Sequence, residues 1–395
     1  MSHDSLVCPK QGEHCHARVS VTDTRFIQSL VLPEKRQWMA GITDRFNLNL
    51  CLTCSKDDGQ SYTNDKMVPY RTEKSAGSAL HKSIIPCTPK TYSGIDKETI
   101  DIRGSSAQQF EPLDVHIDIG EGISNTNVVL MEAVKAVIFV MDRVKSLVVH
   151  DNSSITTATP LVPGKGDDIC WNKLKLCRVE KCSKLDTVFT NNCSKISFPE
   201  LETFWAVDLL VARSIWSKRV IRDHLQGSFG ALRFVHICFC PRLTFVLPLP
   251  WSSMCCLEIL QIICCGDLTH VFPADAEILN EISTGPQRGV LEFPNLKHIY
   301  LYELPKLHQI CDAKMFAPSI ETITVRGCWN LKCLPFTRIL PTGDRPDDLP
   351  VVNCEKDWWE KLDWDGKEQG HHHSLFKPRH SKYYKKNMLR GTALR

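Results

Sequence analysis

One spacing of apolar residues recurs along this chain and limits what it can fold into. From Leu174, apolar side chains fall at offsets 0, 3, 5, 8, 11 and 14, giving Leu174, Cys177, Val179, Cys182, Leu185 and Val188. The same offsets run from Leu232 to Val246, from Leu257 to Val271, from Leu296 to Ile310 and from Ile320 to Leu334. A weaker copy starts at Val144 and a degenerate one at Leu201. Copies begin at 144, 174, 201, 232, 257, 296 and 320, so they are 30, 27, 31, 25, 39 and 24 residues apart. The long interval holds Asp275 to Gly289, an insert with a Gly285-Pro286 turn signal.

The spacing has a direct physical meaning. Offsets 3 and 5 are two apart, so both side chains point to one face of a short strand. Offset 8 ends that strand at a turn, where Asn152 or one of Cys182, Cys240, Cys265 and Cys328 can bond backbone of a neighbouring coil. Offsets 11 and 14 bring the chain back over the same core. One such unit cannot bury its apolar side alone, so units stack. The pattern is that of leucine-rich repeats. The expected fold class is α/β, a leucine-rich-repeat solenoid with a concave parallel sheet. Expected boundaries are 1–125 for an irregular, partly disordered N-terminal segment, 126–340 for the repeats, 341–366 for a C-terminal cap and 367–395 for a basic flexible tail.

Composition matters chiefly through cysteine. The 395 residues include 19 cysteines, an odd number. Met1 to Ser20 is punctuated by His3, Asp4, Lys10, Glu13 and Arg18 and does not read as a secretion signal. The most apolar stretch, Val128 to Met141, contains Glu132 and Lys135 and is too short to span a bilayer. The expectation is a cytoplasmic chain with reduced cysteines, several of them occupying repeat positions as small apolar groups. Net charge is +3, which does not ask for a nucleic-acid or membrane partner.

Three segments carry a family resemblance: Leu174 to Leu185 (LKLCRVEKCSKL), Phe293 to Lys297 (FPNLK) and Val325 to Lys332 (VRGCWNLK). With the closing segment Glu355 to Trp364, they resemble the C-terminal repeat region of plant nucleotide-binding leucine-rich-repeat disease resistance proteins, in particular the coiled-coil class of grasses. The resemblance covers about Val128 to Trp364. It implies recognition of a protein, a pathogen effector or a host protein, in innate immunity. The sequence departs from that family in having no G-x-x-x-x-G-K-[ST] phosphate loop, so nucleotide binding is not expected here.

Other features carry weaker chemistry. Cys51-x-x-Cys54, with Cys8, Cys15, His14 and His16, has the look of half a zinc site, although Cys8 and Cys15 are spaced more widely than usual ligands. The tail from His371 to Arg395 is basic and has no acid. Trp358, Trp359 and Trp364 can close the last apolar layer, with Glu355, Asp357 and Glu360 facing water. No Ser, Cys or His is spaced to complete a catalytic relay, so no enzyme, cofactor or metal is expected. Alternative readings are a substrate adaptor of a ubiquitin ligase, and a zinc- or nucleic-acid-binding protein using the N-terminal cysteines and the tail.

The preferred reading is a recognition scaffold. If offset 5 points into the core, offsets 4 and 6 point away from it. The candidate partner-binding residues on those columns are Arg178, Glu180, His236, Gln261, Tyr300, Tyr302 and Arg326.

Overall fold

The computed structural model describes residues 15–21, 46–52, 115–120, 144–153, 155–156, 158, 171–189, 198–216, 229–247, 254–274, 279–280, 290–337, 349–366 and 371–380. They belong to one compact unit, residues 1–55 with 112–384; a second unit, residues 56–111 with 385–395, contains none of them.

A parallel sheet of 12 strands runs through the first unit. Its strands are β1 (Cys15–Val21), β2 (Phe46–Leu52), β3 (Val115–Ile119), β4 (Ser146–His150), β5 (Leu176–Glu180), β7 (Thr203–Val207), β9 (Phe234–Cys238), β10 (Ile259–Ile263), β13 (His298–Tyr302), β16 (Thr322–Arg326), β18 (Val351–Cys354) and β19 (Lys377–His380). Each pairs only with its predecessor and successor in that series, the arrangement of a solenoid. The register repeats the sequence offsets: Cys177 lies opposite Phe204, Phe204 opposite Val235 and Val235 opposite Leu260.

Return segments are extended rather than helical. They form three small parallel ladders: β6 (Thr187–Phe189) with β8 (Ser214–Trp216), β11 (His270–Phe272) with β14 (Gln309–Cys311), and β12 (Val290–Glu292) with β15 (Lys314–Phe316) and β17 (Phe336–Thr337). Among the described residues the named helices are α1 (Lys356–Trp359) and one 3-10 turn at His373–Leu375. Leucine-type spacing of three at offsets 8, 11 and 14 explains the compact returns. A turn closes between offsets 8 and 11, as in Leu185 N–H to Cys182 O at 3.3 Å and Leu331 N–H to Cys328 O at 3.1 Å.

The core is what the offsets describe. All six positions are at most 1% exposed from Leu174 to Val188, from Leu232 to Val246 and from Leu257 to Val271. The degenerate copy is also fully formed, with Leu201, Phe204, Ala206, Leu209, Ala212 and Ile215 buried. One further core position lies outside the sequence pattern. Three residues before each of the six copies from Leu174 onward stand Trp171, Phe198, Phe229, Met254, Phe293 and Ala317, all buried. Each accepts a turn hydrogen bond from the residue at offset 0, such as Leu174 N–H to Trp171 O at 3.2 Å.

Offset 8 does the bonding expected of it. Asn152 donates from Nδ2 to Gly120 O at 2.7 Å and accepts from Ile155 N–H at 3.0 Å. The thiols of Cys182, Cys240 and Cys328 reach back to Val149 O, Ala206 O and Leu301 O at 3.9, 3.9 and 3.6 Å. These are long, weak bonds to the preceding coil. The 12 described cysteines from Cys177 to Cys354 are all free thiols. Burial pushes Cys182 up to about 11 and Cys311 and Cys354 up to about 12.

The residue just before offset 8 is left-handed in each of the seven copies: Asp151, Lys181, Asp208, Phe239, Cys264, Glu303 and Gly327 have φ between 47° and 68°. Only the last is glycine, so six side chains sit in a conformation that costs an L-residue about 1–2 kcal/mol. Compensation comes from the next coil. Lys181 N–H donates to Val207 O at 3.0 Å, Phe239 N–H to Ile263 O at 3.0 Å and Glu303 N–H to Arg326 O at 2.8 Å.

The ladder does not stop at the ends the sequence suggests. β1, β2 and β3 fall within the segment read as irregular; of these, Phe46 to Leu52 alternates visibly in the sequence. At the other end β18 pairs with β16, and β19, inside the segment read as a flexible tail, pairs with β18. The tryptophans do close the stack there. Trp358 is 2% exposed and donates from Nε1 to Leu331 O at 2.8 Å, while Trp359 and Trp364 pack against Phe376. Asp357 and Glu360 face water, but Glu355 is buried, because Gly327 N–H draws its carboxylate inward at 2.9 Å.

Candidate protein-binding face

The register sets the candidate side chains in two columns on the face of the long sheet turned away from the core. The central column runs Arg178, Trp205, His236, Gln261, Tyr300, Thr324 and Asn353. The flanking column runs Glu180, Val207, Cys238, Ile263, Tyr302 and Arg326.

The first four central residues form one connected run. The Arg178 guanidinium lies over the Trp205 ring at 5.5 Å, within cation–π range. Trp205 stacks on His236 with centroids 3.8 Å apart. His236 Nδ1 is 2.8 Å from Gln261 Oε1. The carboxylate of Glu180 holds Arg178 from the side, accepting from Nε at 3.0 Å and from Nη2 at 2.7 Å. This fixes the guanidinium plane over the indole without removing it from solvent, since the Arg178 side chain keeps 17% of its exposure. Tyr300 stacks on His298 at 6.2 Å, and burial together with Glu321 raises its phenol above the ordinary range.

The seven sequence-selected residues therefore divide. Arg178, Glu180, His236 and Tyr300 are part-exposed, whereas Gln261, Tyr302 and Arg326 are 2%, 3% and 9% exposed. Alternation places the last three on the correct side of the sheet, but they are packed there, so Tyr302 is not a neutral surface position. Trp205, the centre of the connected run, is missing from the sequence selection because the copy around it departs from the leucine pattern.

Where the face ends, three coils bring two acids together. Gly327 leaves room that the Glu303 carboxyl fills, since a Cβ there would lie 3.0 Å from Glu303 Cδ. Burial, with the Glu355 carboxylate beside it, pushes Glu303 up to about 7, and burial also raises Glu355. A carboxyl whose folded pKa is raised keeps its proton in the native state while the unfolded chain releases it near 4.5. Stability is therefore greatest at low pH within this window and falls as pH rises from about 4.5 to about 7. Glu303 is part-exposed, so solvent screening holds the effect to about 1–2 kcal/mol. Urea melts of Glu303→Gln should show a flatter slope over that window and a higher midpoint than wild type at pH 8. An unchanged slope would rule Glu303 out as its source.

Among the described residues no group of three or more His, Cys, Asp and Glu can hold a metal. Cys15 and Cys51 lie on β1 and β2, where they pair with Phe46 and Ser20 respectively; Cys8 and Cys54 lie outside the described residues. No described helix is long and apolar enough to cross a membrane.

Comparison with known proteins agrees with this geometry. Residues 206–340 match the leucine-rich repeats of the plant disease resistance protein RPS2-like family. Curated relatives from Arabidopsis thaliana include the putative disease resistance protein At4g19050, 27% identical over 42% of this chain and 12% of its own length. The probable disease resistance protein At5g63020 is 30% identical over 38% of this chain and 16% of its own. Disease resistance protein SUMM2 is 26% identical over 25% of this chain and 11% of its own. The chain thus spans under a fifth of the length of the relatives it matches. No solved structure matches. The family match falls within the stacked coils that carry the offset pattern, and the repeat region of this chain is a leucine-rich-repeat stack similar over residues 206–340 to those of plant disease resistance proteins.

Proposed function

We propose that the chain is a recognition scaffold of plant defence that binds another protein through the outer face of its long sheet, and that it is not an enzyme. The observation that carries this reading is the run Arg178, Trp205 and His236. It is part-exposed and stacked, and it contains Arg and Trp, two of the residue types enriched at binding hot spots. A side chain already held in place loses little freedom on docking, so more of its contact energy appears as affinity. The partner is a pathogen effector or a host protein, met in the cytoplasm.

The test separates binding from folding. Arg178→Ala and Tyr300→Ala, at part-exposed positions, should each shift stability by only about 0.5 kcal/mol. Each should also weaken capture of the partner from leaf extract by about tenfold, or about 1.4 kcal/mol. If both variants melt like wild type and recover the same proteins in the same amounts, the face is not the binding surface.

A further inference from the structure

We propose that Cys255 and Cys256 form a redox modification site, a vicinal dithiol that closes reversibly to a disulfide by exchange with a low-molecular-weight disulfide such as oxidised glutathione. The two residues are the central pair of a turn closed by Leu257 N–H to Met254 O at 3.0 Å. Their sulfurs are 3.8 Å apart. Cys255 is exposed and Cys256 part-exposed, in contrast to the eight buried cysteines of the described repeats.

Comparison of equivalent turns shows that packing does not explain these thiols. The same place holds Asn172-Lys173, Pro199-Glu200, Gly230-Ala231, Pro294-Asn295 and Pro318-Ser319 in other coils, and none of those residues is buried. Cysteine at offsets 3, 5 and 8 substitutes for an apolar or hydrogen-bonding core residue. At the turn there is no core to fill. Backbone contacts hold the pair in place instead, through Asn295 Nδ2 to Cys255 O at 2.7 Å.

The chemistry balances with one oxidant. The Cys255 thiolate attacks a sulfur of oxidised glutathione, whose S–S bond breaks, and the departing glutathione thiolate takes up a proton. Cys256 then gives its proton to solvent, attacks Cys255 Sγ and expels the second glutathione, which is protonated in turn. Two protein thiols are oxidised and one glutathione disulfide is reduced to two thiols. Burial and the neighbouring Cys255 thiol raise Cys256, so the first attack is assigned to Cys255. Adjacent Cα atoms lie only about 3.8 Å apart, below the usual disulfide range of about 4.4–6.8 Å. The closed ring is therefore strained and easily reduced, as a reversible mark requires.

The test uses the full reduced chain, oxidised glutathione as the probe, and alkylation after denaturation read by mass spectrometry. Cys255 and Cys256 should become unalkylatable together, in a peptide lighter by two hydrogens and free of glutathione, and dithiothreitol should restore both. Cys182 and Cys328 should stay alkylatable throughout. Cys256→Ser should instead retain glutathione on Cys255. Persistent glutathione on wild-type Cys255, no loss of alkylation at the pair, or equal oxidation of Cys182 and Cys328 would each overturn the proposal.

Discussion

Phe198→Ala should destabilise the repeat region by about 3–5 kcal/mol, the cost of truncating a fully buried phenylalanine. Phe198 has no exposure and stands where two coils meet. Its ring lies 4.8 Å from Phe189, 5.6 Å from Trp216, 5.7 Å from Phe229 and 6.5 Å from Trp171. Aromatic pairs of this kind add about 0.5–1.5 kcal/mol beyond the area they bury. Four rigid rings cannot collapse readily into the space left behind, so the cavity persists and the cost falls toward the upper end. Phe198→Leu keeps most of the volume and should lose less than half as much. Urea denaturation monitored by tryptophan fluorescence reads both. Equal losses for the two variants would show that the volume leucine retains contributes nothing and that the ring contacts carry the stability.

Asn152→Ala should cost about 2–4 kcal/mol, from two buried groups left unsatisfied at about 1–3 kcal/mol each. Asn152 has no exposure, yet it serves Gly120 O and Ile155 N–H at once. Alanine removes both partners without opening the site to water. Asn152→Cys should recover only a fraction, because a thiol can replace the donor weakly but not the bond from Ile155 N–H. That gradation, Asn above Cys above Ala, is the measurable content of the alternative residues at offset 8. If Ala and Cys are equally destabilised, the thiols of Cys182, Cys240 and Cys328 act as space-filling groups alone.

The stack was legible in the sequence wherever burial imposes a residue type. In the five full copies offsets 0 to 14 are filled by Leu, Val, Ile and Cys because those sites are enclosed, and the spacing therefore survives in the text of the chain. Two other repeated features leave no such trace. The buried position three residues before each of the six copies from Leu174 onward holds Trp, Phe, Met or Ala, so no single residue type marks it in the sequence. The left-handed position accepts Asp, Lys, Phe, Cys, Glu and Gly, since the neighbouring coil and not the side chain stabilises it. Only Gly327 has the residue type that signals such a turn.

The candidate face was half legible for a related reason. Alternation along a strand decides which side of the sheet a residue takes, and the register agrees for all seven selected positions. It does not decide what else lies on that side. Arg178 and His236 remain accessible, while Gln261 and Tyr302 do not. Trp205 was invisible for the opposite cause, a copy whose Ala206 and Ala212 hide a coil that is structurally complete.

The left-handed turns also fix the direction in which the stack can fail. Each strained residue from Asp151 to Glu303 hands its N–H to the coil that follows, so each coil is relieved by its C-terminal neighbour. Gly327 ends that series: its N–H goes to the Glu355 side chain, and glycine needs no relief. Cutting the chain after any earlier coil would strand an L-residue in its unfavourable conformation at the new end, with an unanswered amide beside it. Such a fragment begins to fray at the cut, and the loss of one coil passes the same defect to the coil before it. Shortened versions of this chain should thus peel from the C-terminal side unless they end in a glycine at that turn.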